Sequence, residues 1–221
     1  MNRSAAVSFS RPARAGAAAP ASLQHRAALR PALGLGVASL LLMGLAYALG
    51  TTALSRAAFP AQSDGSLLVI DGQVRGSRLV AQPFAGDGYF QTRPSAAGYD
   101  PMAAAGSNLA RTNPALQARV REAMAAVALR EGVPASTVPG DLVTQSGAGM
   151  DPEISPHSAA LQVARVARAR GLDASQVNAL VAAHTQGPQW GVFGQPRVNV
   201  MDLNVALDRV TGGRAEPGAA Q

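Results

Sequence analysis

Ala32 to Leu54 contains no charged residue. The run is 23 residues long and rich in Leu, Ala and Gly. In lipid every backbone N–H and C=O must find its partner inside the segment, so a lone run of this kind crosses a membrane only as a helix. At about 1.5 Å per residue it reaches roughly 34 Å, enough for a hydrocarbon core about 30 Å thick. Pro31 stands immediately before the run, where a missing N–H costs little. The competing reading is a cleaved export signal, with Ala46-Tyr47-Ala48 as a small-residue cleavage site. The run is longer than the ~7–15 residue apolar core of such signals, and apolar residues continue past that site. The expectation is an uncleaved transmembrane helix over residues 31–55.

Charge sets the orientation. All 19 basic residues are arginine, and the formal charge is +6. Arg3, Arg11, Arg14, Arg26 and Arg30 precede the first acidic residue, Asp64. From Arg56 onward, 14 arginines face 13 acids. The basic excess therefore sits on the tail, residues 1–30, and not on a folded surface, which argues against nucleic-acid binding. Arginines flanking one end of a span hold that end in the cytoplasm. Residues 56–210 are then expected outside it, with 211–221 as a frayed tail marked by Gly212-Gly213 and Pro217.

The exported part reads as one small α+β domain. Ser66 to Ile70 is a strand, Asp71-Gly72 a tight turn, and Val74 and Leu79-Val80 a return strand or two. Arg93 to Asn113 is a long stretch without period, of a length uncommon in a compact domain unless it has a task. Asn113-Pro114 opens a helix carrying Leu116, Val120, Met124 and Val127. Asp141 to Thr144 reads as a short strand, and Ser146 to Asp151 as a Gly-rich turn. Ser155-Pro156 opens a helix that stops at Gly171, with Ala159, Val163 and Val166 as its core stripe. Further helices are expected over Asp173 to Gln186 and up to about Val210, the latter burying Leu203 and Leu207. Arg197 to Val200 is a strand between them.

Several chemistries are excluded outright. Without lysine there is no phosphate-binding G-x-x-x-x-G-K-[ST] loop and no kinase machinery. The phosphorylated Asp-Lys-Thr-Gly motif of P-type pumps is impossible for the same reason. Without cysteine there is no disulfide or thiolate site. His25, His157 and His184 have no metal-ligand spacing, and no G-x-S-x-G elbow is present. The chain is thus expected neither to hydrolyse ATP alone nor to hold a metal.

Three features remain as candidates. The turn at Ser146-Gly147-Ala148-Gly149 could offer N–H groups to a phosphate, or could simply need positive φ. Gln162 lies at the edge of a core stripe without an evident reason, whereas Arg168 and Arg170 are accounted for by the helix dipole. Tyr89, Phe90, Arg93 and Pro94 form either a docking surface or a local core that pins the long loop.

Taken together, these stretches resemble the KdpC family, the C subunit of the bacterial Kdp potassium-transporting ATPase, over about Pro31 to Arg209. The resemblance runs through Arg75-Gly76-Ser77-Arg78, Gln82-Pro83-Phe84, Tyr89-Phe90, Arg93-Pro94-Ser95, Gly106-Ser107-Asn108 and Asn113-Pro114. It continues through Asp141 to Gly147, Gly149-Met150-Asp151-Pro152, Gln162, Arg165-Val166, Ala169-Arg170, Pro196 and Asn199. Order and spacing carry the specificity. The chain departs from the family pattern at Ala164, at Ala105-Gly106 and at Tyr47-Ala48, where proline, a glycine pair and a tyrosine-proline are usual.

The resemblance implies a non-catalytic subunit that assembles with a channel-like A subunit, a P-type ATPase B subunit and a small F subunit in the bacterial inner membrane. It implies a catalytic chaperone that raises the ATP affinity of the B subunit. It also places the soluble domain over the external entrance of the channel-like subunit. Ser146, Gly147 and Gln162 match positions connected with ATP, contacted here or only through the partner ATPase subunit. Tyr89, Phe90, Arg93, Asn108, Asn113, Arg165 and Asn199, within the resembling stretches, are candidates for partner contact or structural roles.

Overall fold

A computed structural model describes residues 25–212. The Arg-rich tail before His25 and the tail after Gly212 lie outside the described residues. The chain divides into two compact units at Leu54/Ser55.

The N-terminal helix is continuous from His25 to Ala58: α1 (His25–Ser39), a π-helical segment (Leu40–Ala46) and α2 (Tyr47–Ala58). None of its side chains from Ala28 to Ala58 is buried within the chain. At about 1.5 Å per residue these 31 residues exceed a bilayer's apolar thickness. Pro31 lies inside the helix, not at its start, because helix continues N-terminally through Arg30. The π segment closes with the Tyr47 N–H donating to the Leu42 carbonyl. A wide turn of this kind is an inserted irregularity, present here without a proline at Ala48. Thr51 and Thr52 donate their hydroxyls to the Tyr47 and Ala48 carbonyls at 2.9 and 2.8 Å, which satisfies both hydroxyls without water.

The second unit is α+β. After the short helix α3 (Pro60–Ser63) come β1 (Leu67–Ile70) and β2 (Gln73–Ser77), an antiparallel hairpin. Asp71 and Gly72 at its turn have φ of +52° and +74°, the type I′ geometry whose twist suits a two-residue hairpin. A bulge at Arg75 shifts the register, so that Leu68 faces Gly76 while Val69 faces Val74. Leu79-Val80 is a turn and not strand. Its backbone is tied back locally, with the Ser77 hydroxyl accepting from the Leu79 N–H.

Helix α4 (Pro114–Glu131) starts where Asn113 accepts the Ala115 N–H at 2.9 Å and ends on left-handed Gly132. Strand β3 (Glu153–Ile154) leads into α5 (Pro156–Arg170), capped by Ser155 and ended by left-handed Gly171. Helix α6 (Ala174–Ala183) has a capping box of Asp173 and Gln176. It is shorter than expected: Thr185–Gln186 form β4. Strand β5 (Arg197–Asn199) runs between β3 and β4, antiparallel to both. Helix α7 (Val200–Thr211) follows, with Asn199 as its cap and Leu203 and Leu207 fully buried.

Asp141 to Thr144 is not a strand. Gly140–Leu142 is a 3-10 turn. The Leu142 and Val143 N–H groups bond back to Pro139 and Gly140, while both side chains enter the core. Adjacent apolar residues here mark a buried turn.

Candidate functional site: a clamped segment at residues 87–99

Tyr89, Phe90 and Arg93 lie on one stretch of backbone, and Gln162 and Arg165 converge on it from α5. Phe90 is fully buried and belongs to the core, whereas Tyr89, Arg93 and Pro94 are half-buried. On one side Asn204 of α7 meets it: its Oδ1 accepts the Phe90 N–H and its Nδ2 donates to the Phe90 carbonyl, both at 2.9 Å. On the other, Gln162 repeats the pattern one residue on. Its Oε1 accepts the Gln91 N–H at 2.8 Å and its Nε2 donates to the Gln91 carbonyl at 3.1 Å. Two side-chain amides thus take the place of neighbouring strands, supplying the backbone partners that buried peptide groups require.

Arginines extend the clamp. Arg165 donates through Nη1 to the Asp87 and Tyr89 carbonyls at 2.6 and 3.0 Å, and through Nη2 to Gln162 Oε1 at 2.9 Å. Its Nε donates to Glu131 at 3.0 Å. The Glu131 side chain is fully buried and also accepts from Arg130 at 2.7 Å. Arg170 donates to the Gly88 carbonyl at 2.8 Å, pairs with Asp208 at 2.7 Å and lies 4.3 Å from the Tyr89 ring centre. Its role is therefore more than complementing the dipole of α5. Burial, and then the charge of Asp208, push the Tyr89 hydroxyl above its ordinary pKa, against the pull of Arg170.

The long loop is fastened at its other end. Arg93 pairs with Asp151 at 2.8 Å. Ser95 donates to the Gly149 carbonyl at 2.6 Å and accepts the Ala97 and Tyr99 N–H groups. The Tyr99 hydroxyl returns to the Arg93 carbonyl at 2.9 Å. Gly106 lies directly against the Gly147 carbonyl, since a Cβ there would come within 2.6 Å of that oxygen. The Gly-rich turn is thus packed on the loop. Ser146 is buried, donates its N–H to the Pro94 carbonyl and accepts the Asp151 N–H. Asn108 is exposed, with φ of +49°. Asn113 caps α4. Asn199 caps α7 and donates to the Arg78 carbonyl at 2.8 Å. No hydrogen bond among the described residues joins Gln162 to Ser146 or Gly147.

A cleft of about 810 Å³ opens beside this region, between Arg93, Asp141, Asp151, Glu153, Phe193 and Arg197. Its charges are compensated within the chain. Asp151 pairs with Arg93, and Glu153 with Arg197 at 2.8 Å. Asp141 accepts the Ser155 N–H and the Ser158 hydroxyl, while Asp151 accepts the Glu153 N–H. Burial works to raise the Asp141 carboxyl, but the bonds from Ser158 and Ser155 outweigh it and hold its pKa below the ordinary value. Among the described residues no three His, Asp or Glu side chains gather as a metal site. His157 is exposed, and His184 ends α6 with its ring on the Leu180 carbonyl.

Asn204, Glu131, Asp141, Ser158 and Asp208 are polar partners in these networks that sequence reasoning did not single out. A usable signal exists for two of them: Asn204 and Asp208 fall at helical spacing from Val200, inside the apolar stripe of α7.

Residues 29–209 match the family described as K+-transporting ATPase, c chain. The potassium-transporting ATPase KdpC subunit of Xanthomonas campestris pv. campestris (strain B100) is 53% identical over 191 residues, covering 86% of this chain and 91% of that protein. The KdpC subunit of Shewanella putrefaciens (strain CN-32) is 52% identical over 174 residues, 79% of this chain and 87% of its own. That of Variovorax paradoxus (strain S110) is 49% identical over 189 residues, 84% and 98% respectively.

Proposed function

Because the chain belongs to the KdpC family, we propose that it is the single-pass, non-catalytic subunit of a potassium-transporting ATPase. It is anchored in the inner membrane by the helix His25–Ala58, with the α+β domain outside the cytoplasm. In this reading it assembles with the channel-like A, P-type ATPase B and small F subunits. The observation that carries it is the helix itself. Its apolar side chains from Ala28 to Ala58 are uncovered, and the arginine excess ahead of it in the sequence supports a cytoplasmic N-terminus.

The chaperone role follows as a consequence of assembly. Gln162 spends its amide on Gln91, Ser158 and Arg165, and Ser146 is spent on the long loop. ATP therefore reaches this subunit through the partner ATPase subunit, and these residues act on nucleotide affinity by holding the domain in its assembled shape. Purification through a tag on this chain, from cells carrying the whole operon, tests the reading. The channel-like and ATPase subunits are expected to co-purify, with the ATPase showing a lower KM for ATP than without this chain. Recovery of the chain alone, or an unchanged KM, would overturn it.

A further inference from the structure

The connection between β4 and β5, residues 187–196, carries no charged side chain. It folds into a small finger of its own. The Gln189 N–H donates to the Phe193 carbonyl at 2.7 Å, and the Phe193 N–H to the Gln189 carbonyl at 2.9 Å. The Gly191 and Val192 N–H groups donate to the Pro188 and Gln189 carbonyls. At the tip Trp190 and Gly191 have φ of +53° and +78°. The Trp190 ring meets Phe193 edge-on, with ring centres 6.0 Å apart. Yet Trp190, Val192 and Phe193 are 85%, 76% and 61% exposed. A bulky residue held at positive φ with its side chain in water adds little to the core, and such a departure points to a task.

The chemistry of the finger selects its occupant. Three such side chains offer on the order of a few hundred Å², short of the roughly 800 Å² per partner that a stable protein interface buries. A lipid interface needs no such area. It needs backbone groups already paired, and here the N–H groups of Gln189, Gly191, Val192 and Phe193 are bonded inside the finger. It also favours tryptophan, whose ring enters the apolar layer while its indole N–H meets lipid oxygens. The next charged residue along the chain, Arg197, is spent on Glu153 at 2.8 Å, so nothing at the finger selects an anionic headgroup. The chain carries its own apolar span, Ala28–Ala58, so a bilayer accompanies the domain.

We infer that Trp190, Val192 and Phe193 form a wedge that inserts shallowly into the interfacial layer of a zwitterionic phospholipid bilayer. The wedge belongs to the chain alone and is independent of the complex membership and orientation proposed above. Trp190 is the chain's one tryptophan and therefore its own reporter. The full chain is reconstituted in phosphatidylcholine vesicles, with and without acyl chains brominated near the headgroup. Brominated lipid is expected to remove about half of the emission or more. Val192→Asp keeps the reporter but charges the tip. It should retain the parent's circular dichroism, lose most of the quenching by brominated lipid, and become about threefold more open to acrylamide. Adding phosphatidylglycerol should leave the parent's quenching unchanged. Trp190 quenched by acrylamide but not by brominated lipid would leave the finger in water. Protection from both quenchers would assign it to a second copy of the chain or another protein surface. Either result, quenching that needs phosphatidylglycerol, or equal lipid quenching in Val192→Asp would overturn the wedge.

Discussion

Replacing Gln162 by leucine separates a residue that touches nucleotide from one that builds the domain. The leucine fills nearly the same volume but removes an acceptor and a donor. The Gln91 N–H and C=O lose partners now at 2.8 and 3.1 Å, and Arg165 Nη2 loses one at 2.9 Å. Each buried backbone group left unpaired costs about 1–3 kcal/mol, toward the low end here because Gln91 is half-buried. The sum is roughly 2–4 kcal/mol, or about 5–15 °C in Tm for a chain of this size. Asn204→Leu, on the opposite side of the same segment, should cost at least as much, because Phe90 is fully buried. Both variants are compared with the parent as full chains in detergent by thermal circular dichroism, alongside the ATP dependence of the purified complex. Gln162→Leu should lower Tm and raise the KM for ATP together, with Asn204→Leu tracking it. A Gln162→Leu chain of unchanged Tm whose complex nonetheless loses ATP affinity would refute the clamp and restore direct nucleotide contact.

Two further outcomes follow from the same geometry. Asp141 has a depressed pKa in the folded chain, so its contribution is complete above the unfolded carboxyl value of about 3.9 and is lost as pH falls through the lower folded value. Asp141→Asn should cost about 1–2 kcal/mol at pH 7 and make the acid loss of stability shallower; an unchanged pH profile in urea titrations would contradict it. Gly106→Ala forces a methyl to within 2.6 Å of the Gly147 carbonyl oxygen, a strain of about 1–3 kcal/mol. It should speed trypsin cleavage at exposed Arg111 in the long loop, and equal cleavage rates would show that the loop yields without cost.

The helix boundaries are legible in the sequence because their signals are local. Asn113-Pro114 and Ser155-Pro156 start helices, and Gly171 ends one, through contacts made within a few residues. Asp71-Gly72 is readable for the same reason. Gln162 shows only as a polar residue out of place, since its partner is backbone 71 residues away. Asp141 to Thr144 reads as strand because two adjacent buried side chains look alike in a strand and in a 3-10 turn. Thr185–Gln186 leave α6 for a sheet because β5 offers them a partner, which no helical periodicity can announce. Arg170 has an adequate local explanation in the helix dipole, and its bonds to Gly88 and Asp208 need the fold to become visible.

Orientation and partner set both depend on which side of the membrane the α+β domain occupies. Leu129→Cys, in a chain otherwise without cysteine, reports this when intact spheroplasts are treated with a membrane-impermeant maleimide. Labelling in intact spheroplasts, with none added by permeabilisation, is the predicted result. Labelling only after permeabilisation would place the domain in the cytoplasm and contradict it.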